Sequence, residues 1–556
     1  MNNIQNNPLW AIYYESDAYS ISGDKVMGRQ AAGNSFLKAY ALSNFNKIGI
    51  YAKNKDSFVN SFNLFKSFLP SETNKELSYI PWGNPSNLNK FGGIFFPAPD
   101  ISKLADQRYF YGSNSYSVVG ITHTTASDTV INAILNCYTR PLMPWDALIC
   151  TSKSVKRSIN NLYDQYQSIL SERIGATKKP FFELPIIPLG VHLDDYSCNT
   201  QERTLGRNKL NIKDNDITLL FLGRLSFHAK AHHLPMYIAL QKVAESLPEG
   251  VNLHIIQSGW FPNDTIENIY KEEAKKISPL VSFHFLDGRD PIVKKLSYAV
   301  SDIFISLVDN FQETFGLTPL EGMASGLPVI VSDWDGYRDT VRDTVDGFRI
   351  PTVTMEPGNG NDYALRYSLG LDTYDHYIGR TSQTVSIDLK VCVDRILSLA
   401  INKDLRKKLG NNAKERAKEF EWRNIISQYS DLKKELDQRR KISLEGNQKF
   451  FSPAMIQDPY TFFDGYSSLQ INLESSILLN TNINNTKIED LYKFSSVSYL
   501  DNIAPKIEII REIYDIISVN DNFKVIEITK KTDFDHSLIF RSLIWLAKFG
   551  YISIKV

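Results

Sequence analysis

Two glutamates, Glu313 and Glu321, stand with seven residues between them in the stretch ETFGLTPLEGMASGLPVI. The run SDIFISLVDN before them reads as an apolar strand that ends in a loop. Thr318, Pro319 and Glu321 spell a capping box with proline at the first helical position, so a helix is expected to start near Thr318. A helix that begins just beyond a strand presents unpaired amides, here those of Gly316, Leu317 and Thr318. It also presents the positive end of its dipole, and the two together suit a diphosphate. Gly316, lacking a Cβ, lets a ligand approach the backbone. A carboxylate one turn inside the helix can accept hydrogen bonds from a ribose, and one just outside it can reach a sugar. Glu321 has a plainer role open to it as a capping residue, and the two roles are compatible.

These residues need a sheet to carry them. The first part of the chain alternates short apolar runs with helix-length segments: PLWAIYYES, KIGIYAK, GGIFFPAP, YSVVGITHT and ALICTS. After LPIIPLGVHLDDY comes a polar stretch, SCNTQERTLGRNKLNIKDNDIT, which reads as a linker. A second series follows with LLFLGRLS, VNLHIIQSG, VSFHFLDG, SDIFISLV and GLPVIVSDWDG. Near-continuous apolar strands spaced by helices mean parallel sheets buried on both faces, and two series mean two doubly wound α/β domains. In such domains ligands sit beyond the carboxyl ends of the strands, where Glu313 lies.

At 556 residues the chain exceeds what one core supports. Its 62 basic and 62 acidic residues cancel, which gives no overall pull toward nucleic acid or anionic lipid. Cys137, Cys150, Cys198 and Cys392 form no CxxC pair, arguing against zinc or a disulfide framework and for a reducing compartment. The N-terminus lacks the pattern of a signal peptide, and no apolar run is long enough to span a bilayer. The expectation is a cytoplasmic protein, with any membrane contact peripheral to the inner face.

The E-x7-E pair, set within F-G-L-T-P-L-E-G and followed by A-S-G-L-P-V-I and a D-G loop, resembles the signature of retaining GT-B glycosyltransferases. The large family four, the glycosyl transferases group 1, is the closest in pattern. FLGRLSFHAK places Arg224 and Lys230 after the first strand of the second series, where the resemblance implies a basic pair gripping the donor diphosphate. Two cations beside a helix N-terminus stabilise charge that grows on a departing nucleoside diphosphate; a surface salt bridge is their bland alternative. The resemblance covers roughly residues 8–440. It implies Glu313 on the transferred sugar, Glu321 on the ribose, and Gly28, in VMGRQAAGNSF, facing the diphosphate across the cleft. The family often has paired glycines there, whereas this chain has Met27 and Gly28. Arg29 reads equally as a phosphate or acceptor contact and as a solvated loop residue. His123, in GITHTTAS, is implied near the donor sugar or reacting centre, its alternative being a satisfied core histidine.

The resulting expectation is a retaining, metal-independent transferase with no cofactor. It would move a sugar from a nucleoside-diphosphate sugar to a saccharide or other hydroxyl acceptor, as in polysaccharide biosynthesis. Its catalytic set would be Glu313, His123, Lys230 and Arg224, and its donor set Gly28, Arg224, Lys230, Gly316, Leu317, Thr318 and Glu321. An epimerase or phosphorylase on the same fold, or a catalytically silent interaction protein, is the alternative. The D-x-D at Asp333–Asp335 spells a metal motif but falls in a glycine loop, and His232 and His233 lack a third ligand at metal spacing. Domains are expected at 1–200 (completed by helices about 422–440), at 205–421, and at 445–556. The last resembles a small winged-helix unit. From Asp501 onward it carries as many acidic as basic residues, which favours protein docking over nucleic acid. Residues 351–384, rich in tyrosine, read either as an insert that shapes the cleft or as a solvated connection.

Overall fold

The computed structural model describes residues 8–21, 28–70, 73, 75–443, 457–500, 502–519 and 522–556. It divides into two compact units, Met1–Ile456 and Gln457–Val556. Residues 22–27, most of the expected glycine loop before Gly28, lie outside the described residues.

The first unit holds two six-stranded sheets. One is built from β1 (Ala11–Tyr13), β2 (Lys47–Ala52), β3 (Glu76–Pro81), β4 (Gly93–Phe96), β5 (Ser117–Ile121) and β6 (Ala147–Ile149), in the order β3-β2-β1-β4-β5-β6. The other is built from β7 (Ile217–Leu222), β8 (Leu253–Gly259), β9 (Val281–Asp287), β10 (Ile303–Ser306), β11 (Val329–Ser332) and β12 (Gly347–Ile350). Its order is β12-β11-β10-β7-β8-β9. Every pairing in both is parallel. Counted from its own first strand, each sheet runs 3-2-1-4-5-6, the doubly wound order whose direction reverses beside strand one. This is the two-domain GT-B architecture. Strands β7, β10 and β11 are buried at every position, which is why they read as continuous apolar runs.

The helices that matter here are α1 (Gly28–Leu42), α2 (Asp128–Thr139), α3 (Lys153–Ile174), α4 (Thr200–Lys209), α5 (Leu317–Ala324), α6 (Asn361–Ser368), α7 (Tyr374–Ser382) and α8 (Trp422–Ser443). The stretch read as a linker contains α4. Asn199 and Glu202 close a capping box at its start, and Arg207, buried, donates to Val300 O, Lys213 O and Asp216 O. Its polar composition hid it, because α4 is fastened by charged hydrogen bonds rather than by an apolar stripe. Helix α8 packs on the first sheet. Trp422 Nε1 donates to Ser35 Oγ at 2.6 Å, and the Tyr429 ring meets Phe36 and Phe95 at 5.4 and 5.8 Å.

The second unit has a three-stranded antiparallel sheet, β16-β15-β17, where β15 is Ser476–Leu479, β16 Asn522–Lys524 and β17 Ile552–Lys555. Against it lie α9 (Ile507–Ser518), α10 (Val525–Thr529) and α11 (His536–Lys548), around Ile477, Ile510, Ile513, Leu543 and Leu546. The central strand comes from the front of the unit, not from a hairpin that follows α11.

Candidate active site

The switch in strand order puts β7 beside β10, with Ile303 opposite Leu219 and Phe304 opposite Leu220. The loops that leave these two strands therefore share one crevice. They carry Arg224 and Lys230 on one side and Glu313 and Gly316 on the other. The loops are tied together: Asn310 Nδ2 donates to His228 O at 2.9 Å, and Gln312 Nε2 donates to Ala229 O at 3.1 Å. Arg224 also donates to Ala229 O, at 2.7 Å, and its burial pulls the guanidinium pKa down from its usual value.

Lys230 Nζ donates to Glu313 Oε2 in a nearly buried ion pair, the two side chains 20% and 15% exposed. Burial alone would push the Glu313 carboxyl up. The Lys230 ammonium and the amides of Phe315 and Thr314 outweigh it and hold the group below its ordinary value. Glu313 is thus a fixed anion and Lys230 its fixed cation.

Helix α5 begins at Leu317, one residue before the expected start, with Gly316 as its N-cap in the left-handed region at φ 84°. Thr318 is therefore not the N-cap and Pro319 falls third in the helix, so the capping box read from T-P-L-E does not form. The Tyr337 ring fills the space a Cβ on residue 316 would need. Its hydroxyl pairs with Ser306 Oγ at 2.9 Å. Glycine at 316 is demanded by this packing and by the backbone conformation. Because Pro319 has no N–H, the amides at the helix mouth are those of Gly316, Leu317 and Thr318. The Thr318 hydroxyl is buried with no hydrogen-bond partner among the described residues.

Glu321, freed from capping, is buried and faces another set of donors. Tyr196 Oη and Lys294 Nζ donate to Oε1 at 2.8 and 2.9 Å, and Tyr298 Oη donates to Oε2 at 2.6 Å. Burial pushes its carboxyl up; the Lys294 charge and these hydrogen bonds outweigh it and keep the group below its usual range. A carboxylate has room for about four donors, so one acceptor position remains for a ligand hydroxyl.

The first domain reaches this crevice at three points. Thr314 Oγ1 donates to His123 O at 2.9 Å, bringing the loop after β5 against the loop after β10. The His123 ring is pushed down to about 4 by burial, helped by the charge of Arg29, so it is neutral near pH 7. Arg29 itself pairs with Asp17. Ser152, the N-cap of α3, donates to Asp335 Oδ1 at 3.0 Å, and the Lys153 amide donates to Asp339 Oδ2 at 2.7 Å. Burial raises the Asp335 carboxyl to about 7. Gly28 opens α1, and nothing lies within 4 Å of where its Cβ would be.

The D-x-D carboxylates are engaged elsewhere: Asp333 lies 3.4 Å from both Arg338 and Arg349, and Asp335 holds Ser152. His233 Nε2 pairs with Glu273 at 2.6 Å. Among the described residues no three His, Cys, Asp or Glu side chains gather as a metal site, and no helix is long and apolar enough to cross a membrane.

Residues 202–356, which enclose Arg224, Lys230, Glu313, Gly316 and Glu321, match the family model described as glycosyl transferases group 1. This segment is similar to the group 1 glycosyl transferases. The D-inositol 3-phosphate glycosyltransferase of Geodermatophilus obscurus is 28% identical over 288 residues, 50% of this chain and 58% of that protein. The alpha-monoglucosyldiacylglycerol synthase of Streptococcus pneumoniae is 30% identical over 188 residues, 33% of this chain and 37% of that protein. The chain thus spans 58% or less of the length of these two relatives. Among solved structures, Anabaena HepE in complex with UDP-glucose is 15% identical and covers 76% of this chain and 98% of its own, with a TM-score of 0.47. The fold is read from the two sheets themselves.

Sequence reasoning did not find Tyr196, Lys294, Tyr298, Tyr337, Ser152 or Asp335 as members or supports of this site. Trp334 to Gly336 carried a signal in the D-G turn after β11; the three donors to Glu321 carried none.

Proposed function

We propose that the protein is a retaining glycosyltransferase that moves a sugar from a nucleoside-diphosphate sugar to a hydroxyl acceptor, without a metal ion. The observation that carries this reading is the convergence, at one strand-order switch, of two cations, a helix mouth and two ionised carboxylates. A diphosphate needs several positive partners in one place. Arg224, Lys230 and the amides of Gly316, Leu317 and Thr318 are those partners, and they take the part a divalent cation plays where a protein lacks them. Glu321, with its remaining acceptor position, binds the ribose. Glu313 accepts from hydroxyls of the transferred sugar, and His123 and Gly28 face it from across the cleft.

In this mechanism the bond between the anomeric carbon and the diphosphate oxygen breaks while the acceptor oxygen approaches the same face. The electron pair leaves with the diphosphate, and the acceptor proton passes to the departing phosphate oxygen. Lys230 and Arg224 stabilise the charge that grows there, and their contribution is largest at the transition state. Neutral His123 can accept or donate a hydrogen bond at the sugar without adding charge.

A thermal-shift panel of UDP, GDP, ADP and CDP, each with and without magnesium, tests the reading. A ligand at a hundred times its Kd stabilises by about 2.7 kcal/mol. One of the four is expected to raise the midpoint equally with and without metal. A shift that appears only with magnesium overturns metal independence, and no shift with any of them overturns the donor site.

A further inference from the structure

Residues 351–384 form neither a strand of the sheet nor a loose connection. The chain leaves the second sheet through a two-stranded antiparallel stem, β13 (Thr352–Val353) and β14 (Ser386–Ile387), with Thr352 opposite Ile387 and Val353 opposite Ser386. Between the two strands stand α6 and α7. This hairpin is stiffened from within. Buried Asp372 takes Arg366 Nε at 2.9 Å and Arg380 Nε at 2.8 Å, one from each helix, and Tyr367 stacks on Tyr377 with ring centres 4.7 Å apart and planes 10° from parallel.

Its two ends touch different domains. On the second domain, α7 lies on the loop that carries Arg224 and Lys230: a methyl group at Gly379 would sit 3.2 Å from His228 Cβ. On the first, the Tyr367 hydroxyl donates to Asp128 Oδ1 at 3.0 Å and accepts the Asp128 N–H at 3.4 Å. Asp128 is the opening residue of α2, whose N-cap is Ser127, so the hydroxyl grips a helix start from both its carboxylate and its amide. Tyr367 and Asp128 are 239 residues apart in sequence.

We propose that the 354–385 hairpin is a clasp across the cleft and that Tyr367 is a positioning residue, catching the first domain through Asp128. Closing two domains orders both reacting partners and excludes water from a reaction that water would otherwise divert to donor hydrolysis. A stiff hairpin seated on the Arg224–Lys230 loop and hooked to α2 carries the position of one domain to the cations of the other. The bidentate contact at the end of a rigid arm then adds a fourth polar tie to those of Thr314 with His123, Ser152 with Asp335 and Lys153 with Asp339, and it is the one that runs through the hairpin.

Hydrogen exchange on the full chain tests this, comparing wild type with Tyr367→Phe, Asp128→Ala, the double variant of these two, and Asp128→Asn. Local opening is read segment by segment. Tyr367→Phe is expected to speed exchange about tenfold in α6–α7 and also in the first turn of α2, where nothing was changed. Asp128→Ala is expected to speed α6–α7 by a similar factor, and the double variant to add little, since both remove one contact. Asp128→Asn keeps the acceptor oxygen and is expected to stay within about threefold of wild type. Strands β8 and β9, far from the contact in the sheet order, are expected to be unaffected in all four. If Tyr367→Phe leaves α2 unchanged, or Asp128→Ala leaves the hairpin unchanged, there is no clasp. The outcome does not depend on which nucleotide or acceptor the cleft takes, so it stands apart from the test of the proposed function.

Discussion

Removing the Lys230 ammonium leaves Glu313 as a nearly buried anion without its cation, and the consequences can be worked from the site. Breaking a buried ion pair by deleting one partner costs about 3–5 kcal/mol. Glu313 keeps the Phe315 and Thr314 amides, and the pair is 15–20% exposed, so about 2–3 kcal/mol is expected at pH 7.5 for Lys230→Ala. The pH dependence carries the diagnostic sign. In the wild type the Glu313 carboxyl is depressed, so its contribution is present above the ordinary glutamate value and is lost as pH falls through the lowered one. In the variant, burial is no longer opposed by the ammonium and the carboxyl rises above its ordinary value. Its protonated form is then preferred in the fold, and stability is lost as pH rises. The gap between the two proteins should therefore narrow from pH 7.5 toward pH 4.5. Denaturation midpoints of both proteins across that range read it directly, with Lys230→Met as a control for the packing of the stem. Turnover of the variant at pH 7.5 should fall on the order of a hundredfold, since the missing charge acts most strongly on the departing diphosphate. Equal midpoints at pH 7.5, or a gap that does not change with pH, would refute the claim that Lys230 holds Glu313 ionised.

Two further outcomes follow from neighbouring groups. Gly316→Ala sets a methyl against the Tyr337 ring and strains a backbone at φ 84°, so a loss of about 2–4 kcal/mol in chemical denaturation is expected, together with a weaker nucleoside-diphosphate shift. The Asp335 carboxyl is raised to about 7, so between its ordinary value near 3.8 and 7 the folded state binds more protons than the unfolded one and stability falls as pH rises. Asp335→Asn should flatten that slope in a midpoint-against-pH series and raise the midpoint at pH 8; an unchanged slope would place the titration elsewhere.

The two sheets were legible because parallel strands buried on both faces cannot hide: β7 and β10 have no polar alternation to confuse with a helix. Edge strand β3 was missed for the opposite reason, since Glu76, Ser78 and Pro81 suit an edge and read as loop. The E-x7-E pair was legible as local spacing and the Arg224–Lys230 pair only through the family resemblance, and the strand order then explains why two pairs so far apart in sequence meet. The partners of Glu321 were not legible. Tyr196, Lys294 and Tyr298 stand 125, 27 and 23 residues from it, and a spacing rule has no reach over such separations. At Gly316 ligand approach was the expected cause of the glycine, whereas the Tyr337 ring alone already forbids a side chain.

The charges of this site meet one another before they meet any substrate, and that has a consequence for how binding energy can be used. Lys230 holds Glu313, Arg224 holds Ala229 O, and Glu321 holds a lysine and two tyrosines. Under the proposed function, a diphosphate that takes Lys230 must either displace Glu313 or share the ammonium with it, and displacement would free the glutamate for the sugar. Binding becomes an exchange of ionic partners, in which little net affinity is gained for the ground state. In the proposed reaction the gain would arrive when the glycosidic bond lengthens, because the leaving diphosphate would then carry more charge than the carboxylate it replaced while the sugar it leaves behind turns positive beside Glu313. An ion pair of this kind is separated by a substrate and strengthened on both sides by its transition state. On the proposed function, that asymmetry would turn binding into rate, and two opposite charges at a strand-order switch would be more useful paired than apart.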